Sequence, residues 1–342
     1  MIDMNKVKST TTGIEGQICD PDVTQDLLDL DSLSKGEIKS LVESAEGMLE
    51  VMGRKVKKTP ALRGKTIVNA FWENSTRTRT SFESAGKMLG ADVINFTGSN
   101  SSISKGESFL NTILTLQAMS PDVLVIRHPH SGAPNFVAGK IDVPVINAGD
   151  GLHAHPTQAL LDLFTIKRSL GKMSGLKVAI IGDLLYSRVA RSFVIGLIKM
   201  GNSVKVAAPP TLIPKDWFTA NSIFSNDEGH DVQLVNSIEN AIDQVDVVMT
   251  LRIQKERQIA GHLPNLREYS QRWGLNETRL KLAKPEVIVM HPGPMNEGVE
   301  IETKVAHGPR SVIEKQVRNG VAMRMAILYR YCLNPQRMAG IT

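Results

Sequence analysis

The sequence predicts an α/β protein of two domains, each a parallel β-sheet flanked by helices. Short apolar runs alternate with helix-period segments along nearly the whole chain. The runs are rich in Val and Ile and apolar throughout, as strands buried on both faces should be. Polar and basic clusters follow them, at the edge where parallel sheets hold their ligands. A chain of 342 residues, 42% hydrophobic and 22% charged, is long enough for two such cores. The expected division is residues 1–155 with 320–342 in one domain and 156–319 in the other.

The elements follow in order. A helix is expected from Leu33 to Val51, capped by Asp31 or Ser32. The run Lys65 to Phe71 reads as a strand, and the segment after Ser75 as a helix with Phe82, Ala85, Met88 and Leu89 on one face. Asp92–Phe96 is a strand, Ser99–Gly106 a Ser-rich loop and Glu107–Met119 a helix. Asp122–Arg127 is a strand that His128-Pro129 ends. A short helix at Pro134–Gly139 and a strand at Val143–Asn147 follow, and a helix opens at His155-Pro156-Thr157 and runs to Leu170. The second series has strands at Lys177–Gly182, Ser203–Ala207, Val232–Val235, Val245–Thr250 and Val287–Met290, with a helix from about Ser187 to Met200. The last helix is expected over Val317–Leu333, with a hinge at Asn319-Gly320.

Charge and composition narrow the function. The formal charge is +5, but Arg54-Lys55-Val56-Lys57-Lys58 is too short for a nucleic-acid patch and reads as a solvated helix end. Cys19 and Cys332 are the only cysteines, which argues against a disulfide framework and fits a reducing, cytoplasmic setting. No signal-peptide pattern opens the chain, and no apolar run approaches the ~18 residues of a membrane span. Neither nucleic acid nor membrane is expected as a partner. The Gly-x-Ser-x-Gly elbow, the Gly-x-Gly-x-x-Gly fingerprint and the phosphate loop of nucleotide hydrolases do not occur at the strand ends. His128-x-His130 and His153-x-His155 lack the further ligands of a metal site, so no metal or cofactor is expected, and His128 reads as a packing residue.

The chemistry concentrates in Glu73-Asn74-Ser75-Thr76-Arg77-Thr78-Arg79. Ser75 is placed as an N-cap, so the first helical turn exposes free N–H groups and the positive end of the helix dipole to an anion. Thr76 and Thr78 add hydroxyls, and Arg77 a planar fork for two phosphate oxygens. Arg127, His155 to Gln158, Asp183 to Arg188, Arg252-Ile253-Gln254 and His291-Pro292-Gly293-Pro294 also follow apolar runs. Arg77, Lys105, Arg127, Arg188 and Arg252 with few acids make a site for a polyanion or for two anionic substrates.

Ser75-Thr76-Arg77-Thr78-Arg79, with Ser81-Phe82-Glu83 after it, resembles the carbamoyl phosphate signature of the aspartate and ornithine carbamoyltransferases. His155-Pro156-Thr157-Gln158, Arg252-x-Gln254-Lys255-Glu256-Arg257 and His291-Pro292-Gly293-Pro294 are similar to the aspartate branch. The His-Cys-Leu-Pro and Asp-x-Trp-x-Ser-Met-Gly segments of the ornithine branch are absent. The likeness runs from about Leu33 to Leu333 and implies the carbamoyltransferase fold. It implies transfer of the carbamoyl group of carbamoyl phosphate to L-aspartate, the committed step of pyrimidine synthesis, without metal or cofactor. The implied catalytic set is Arg77, Thr78, Lys105, Arg127 and His155. Ser75 to Thr78, Ser101 and Lys105 would hold the phosphate, the last two reaching in from a neighbouring subunit of a homotrimer. Thr78, Arg127 and His155 would face the carbonyl oxygen, while Gln158 and the carbonyls of Gly293 and Pro294 would hold the carbamoyl NH2. Arg188, Arg252, Gln254 and Lys105 would hold aspartate, and Glu73 would latch the domains against Arg188 and Arg257. Regulatory chains or a dihydroorotase are possible partners. Another amino-acid carbamoyltransferase, or a non-catalytic relative, is the competing reading. Three positions depart from the pattern: Leu185, Val189 and Glu297, the last placing a carboxylate near an anion site.

Overall fold

The computed structural model describes residues 24–98, 108–219, 224, 232–254 and 265–333. Ser99–Gly106, with Ser101 and Lys105, lies outside them, as do Cys19 and Lys255-Glu256-Arg257. Two all-parallel sheets form the frame. The first contains β1 (Thr66–Phe71), β2 (Asp92–Thr97), β3 (Val123–His128) and β4 (Val145–Asp150), in the order β2-β1-β3-β4. The second contains β5 (Lys177–Ile181), β6 (Ser203–Ala207), β7 (Val232–Leu234), β8 (Val247–Thr250) and β9 (Ile288–Met290), in the order β7-β6-β5-β8-β9.

Strands β3, β4, β8 and β9 are buried along their whole length, so their continuous apolar runs reflect cover on both faces. Each sheet reverses its strand order beside its first strand. β1 has β2 on one side and β3 on the other, and β5 has β6 on one side and β8 on the other. Loops leaving the carboxyl ends of such neighbours diverge and open a crevice. The residues after β1, β3, β5 and β8 therefore face two crevices.

The first-half helices are α1 (Lys35–Gly53), α2 (Thr76–Leu89), α3 (Phe109–Ala118), α4 (Ala133–Ala138) and α5 (Pro156–Leu170). The second half adds α6 (Arg188–Lys199), α7 (Ile238–Ile242), α8 (Leu266–Trp273), α9 (Glu277–Leu280), α10 (Thr303–Ala306) and α11 (Ile313–Cys332). Helix α1 starts later than expected. Ser34 caps it, exchanging hydrogen bonds with Glu37 in a capping box, and this outweighs Asp31 and Ser32. Strand β4 runs past Asn147 to Asp150, because Asn147 and Asp150 satisfy each other and the neighbouring backbone.

The last helix also differs from expectation. It begins at Ile313 and passes through Asn319-Gly320 unbroken, so these residues are no break in the chain. Asn319 donates to Thr165 on α5, and a Cβ at position 320 would meet Arg324 Nη1 at 2.8 Å and Leu161 at 3.1 Å. The glycine there serves close helix packing. Helix α11 packs on α1, α2 and α5, and α5 packs on α6, so these long helices join the two sheets through one apolar core.

Candidate active site

The ends of β1, β3, β5 and β8 open into one cavity of about 480 Å³ between the sheets. Glu73, Ser75, Thr76, Arg77, Thr78, Arg127, His155, Gln158, Arg188, Arg252, Gln254, Gly293 and Pro294 all line it. Thus every expected site residue within the described part of the chain is brought together. Ser101, Lys105 and Arg257 lie outside the described residues.

Helix α2 begins directly after β1. Ser75 holds the N-cap position but its side chain makes no capping bond, so the amides of the first turn are not tied down by it. Arg77 lies over Gly293, where any Cβ would collide with its guanidinium. This fixes a glycine at the meeting of the two halves. Burial and the nearby Arg252 charge lower the Arg77 pKa, the sign of a cation-rich cleft.

Two buried arginines share one carboxylate. Glu73 accepts from Arg127 Nη2 at 2.8 Å, and from both Nη1 and Nη2 of Arg188 at 2.8 Å. Arg127 also donates to the carbonyl of Ala148, and Arg188 to that of Gly151. Gly149 permits this: a Cβ there would lie 3.0 Å from both Arg127 Nη1 and Arg188 Cζ. Glu73 follows β1 in the first sheet and Arg188 opens α6 beyond β5, so the pair bridges the halves.

His155 is almost wholly buried, and its backbone N–H donates to Ser192 Oγ at 2.9 Å. Burial first, then the charges of Arg127, Arg188, Arg324 and Arg77, hold its pKa well below the usual imidazole value. The ring is therefore neutral near pH 7 and can donate a proton-bearing nitrogen without adding charge. His291 is tied into the β9 loop: Nδ1 accepts from the Gly293 N–H at 2.7 Å, which leaves the Nε2 proton for Glu300 at 3.3 Å. That arrangement shapes the turn bearing the Gly293 and Pro294 carbonyls.

Beyond β8, the chain is held by Asp183. Its carboxylate accepts from the backbone N–H of Gln254 at 3.1 Å and of Tyr186 at 3.0 Å. The loops after β5 and β8 are thereby joined at the crevice. Leu185 packs against the core, and Val189 lines the cavity. Glu297 pairs with His307 at 3.1 Å and is not among the cavity residues, which resolves its unexplained carboxylate.

Arg324 and Gln316 also line the cavity and were not singled out by the sequence, and Ser81, quoted only as part of the signature, lines it with them. Arg324 is buried, donates to Ser81 at 3.0 Å and to the Gly320 carbonyl, and lies over the Phe82 ring. Burial lowers its pKa to about 10. A signal was present: it interrupts the apolar run from Val321 to Leu328 between two core methionines. His128 stacks among Trp72, Phe109 and His130, in keeping with a packing role.

Two family models match in tandem. "Aspartate/ornithine carbamoyltransferase, carbamoyl-P binding domain" covers residues 25–168, and "Aspartate/ornithine carbamoyltransferase, Asp/Orn binding domain" covers 174–331. A protein of Roseiflexus sp. (strain RS-1) named aspartate carbamoyltransferase catalytic subunit is 55% identical over 305 residues, 89% of this chain and 94% of its own. One of that name from Desulforamulus reducens is 54% identical, covering 89% and 95%. A solved aspartate transcarbamoylase of Trypanosoma cruzi with carbamoyl phosphate and aspartate superposes with a TM-score of 0.79 at 33% identity, over 89% of this chain and 95% of that one. The catalytic subunit of M. jannaschii aspartate transcarbamoylase gives 0.78 at 35% identity, over 90% and 98%.

Proposed function

The chain belongs to the aspartate/ornithine carbamoyltransferase family, and we propose that its cleft transfers the carbamoyl group of carbamoyl phosphate to the amino group of L-aspartate. The products are N-carbamoyl-L-aspartate and phosphate. One observation carries the reading: an open helix start and five arginines, Arg77, Arg127, Arg188, Arg252 and Arg324, face one cavity with a neutral histidine. That is a site for two anions and a polarised carbonyl.

The phosphate sits on the α2 start under Arg77. Thr78, Arg127 and His155 donate to the carbonyl oxygen, where negative charge grows as the amine attacks. Gln158 and the carbonyls of Gly293 and Pro294 accept from the NH2 groups. Arg252 and Gln254 take the β-carboxylate. Glu73 grips the end of the Arg188 fork, with Gly151 on Nη1, so the Nε–H and the second Nη2–H are left for the α-carboxylate. The leaving phosphate can accept the amine proton, so catalysis is mostly positioning and charge stabilisation. Labelled carbamoyl phosphate offered with a panel of amino acids tests this. Aspartate alone should be carbamoylated; label on ornithine, or on nothing, contradicts it.

Residues 1–155 with 320–342 bind carbamoyl phosphate and 156–319 bind aspartate; the tandem family matches support the two roles in that order but divide the chain between 168 and 174 and carry the second through 331. The reaction commits carbon to pyrimidines in the cytoplasm. Three copies form a ring in which Ser101 and Lys105 serve the next site, and Glu73 also meets Arg257 on closure. Ile94 on the edge strand β2 and Leu114 on α3 are exposed apolar side chains, as a contact between copies would use. The relatives' name, catalytic subunit, leaves room for regulatory chains or a dihydroorotase. Native mass spectrometry should give three chains; a stable monomer contradicts the ring.

A further inference from the structure

One turn beyond Gln158, helix α5 carries a carboxyl group for which the reaction has no direct use. Asp162 is fully buried. Its Oδ1 accepts from Gln158 Nε2 at 3.0 Å and from Gln316 Nε2 at 2.8 Å, while its Oδ2 is buried without a hydrogen-bond partner. Gln316 belongs to α11, and its Oε1 accepts from the backbone N–H of His291 at 3.0 Å.

This chain of contacts fixes polarity. The His291 N–H can only donate, so it takes the oxygen of the Gln316 amide. The NH2 of Gln316 is then what meets Asp162, and Oδ1 is an acceptor. Gln158 must present its NH2 to that same oxygen, since its own carbonyl there would be repelled. The carbonyl oxygen of Gln158, a cavity-lining residue, is the atom left to face the ligand. Protonation does not reverse this. Burial pushes the Asp162 carboxyl up to about 7, against the nearby Arg324 charge. A proton placed on the unpartnered Oδ2 leaves Oδ1 accepting.

We propose that Asp162 is a positioning residue, which holds the Gln158 amide with Oε1 toward the cleft as the acceptor for the NH2 of a bound carbamoyl group. The inference rests on the carbamoyl-transfer reading of the cleft. A purely structural role is poorly served by such a residue. A buried carboxyl group with one oxygen unpartnered costs stability that an apolar side chain would not. Anchored through Gln316, the same carboxyl couples the Gln158 amide to the His291–Pro294 loop beyond β9.

The test compares two phosphonates of nearly equal shape. Phosphonoacetamide carries the NH2; acetonylphosphonate has a methyl group in its place. Calorimetry on the full chain gives the ratio of their affinities. Wild type should favour the amide by about tenfold or more. Asp162→Leu, with Asp162→Cys as a smaller second variant should the leucine fail to fold, should bring the ratio to within about twofold of unity. Asp162→Asn, which keeps an acceptor oxygen in place, should retain most of the preference. A preference that survives in the leucine or cysteine variant overturns the proposal. So does equal weakening of both ligands, or an asparagine variant that behaves like leucine. A wild type without any preference instead strikes the reading of the cleft itself.

Discussion

At the end of β1 the groups proposed to bind the anion stand on consecutive residues, Ser75 to Thr78, at the start of one helix. At the end of β8 the corresponding groups are gathered from distant segments. Arg252 and Gln254 leave β8, Asp183 holds them from the β5 loop, and Arg188 comes from α6. The first half owes its geometry to local structure, because a helix start presents its amides whatever surrounds it. The second half owes its geometry to tertiary packing. Changes in the first should therefore act on the bound anion directly, and changes in the second through the shape of the loop.

The largest effect is expected at Arg77. Arg77→Ala removes a two-pronged charged contact from the phosphate and should lower kcat/KM by roughly a thousandfold, about 4 kcal/mol. Arg77→Lys should recover little, because a point charge does not replace the fork. Steady-state kinetics with near-normal turnover in either variant would break the local side of the comparison.

Arg252→Ala is the matching change on the other side. It should weaken succinate, a dicarboxylate without an amine, by about 2 kcal/mol, roughly thirtyfold. Phosphate binding should stay within about twofold. Asp183→Ala should mimic it more weakly, at about 1 kcal/mol, because it releases the Gln254 N–H without removing a ligand group. Calorimetry checks both. If phosphate and succinate weaken together, the cleft is not divided as described.

These differences explain what the sequence disclosed. The β1–α2 site was legible because its donors are adjacent and its strand and helix periods are clear. The second-sheet residues were legible as clusters at strand ends, but Asp183 as their clamp was not, since a carboxylate accepting a backbone N–H 71 residues away leaves no local pattern. Arg324 and Asp162 were hidden for a different reason. Both occupy helix faces that pack inward, where the sequence shows only polar breaks in apolar runs. The short helices α7 to α10 went unread because four to eight residues carry too little periodicity. The start of α11 was misplaced because the polar stretch through Gln316 and Asn319 is buried by hydrogen bonds to α5.

A separate effect, on stability rather than on binding, concerns the buried carboxyl of the connecting helices. Asp162 ionises near 3.8 when unfolded and near 7 when folded, mainly because burial disfavours the charge. The folded state therefore holds a proton that the unfolded state lacks between those values. Its stability falls as pH rises through that window and is flat beyond it. Asp162→Asn escapes this loss. Its melting temperature relative to wild type should rise from pH 5 to pH 7 and then level. A difference independent of pH would mean that the carboxyl group is not held neutral.

The division of the cleft is tested most directly by a crystal structure with a ligand that joins a phosphonate to a dicarboxylate. The phosphonate should lie on the backbone N–H groups of Thr76 to Thr78 and on Arg77, with the two carboxylates on Arg188 and on Arg252 with Gln254. A phosphonate seated instead at Arg252, with a carboxylate on the start of α2, would contradict it.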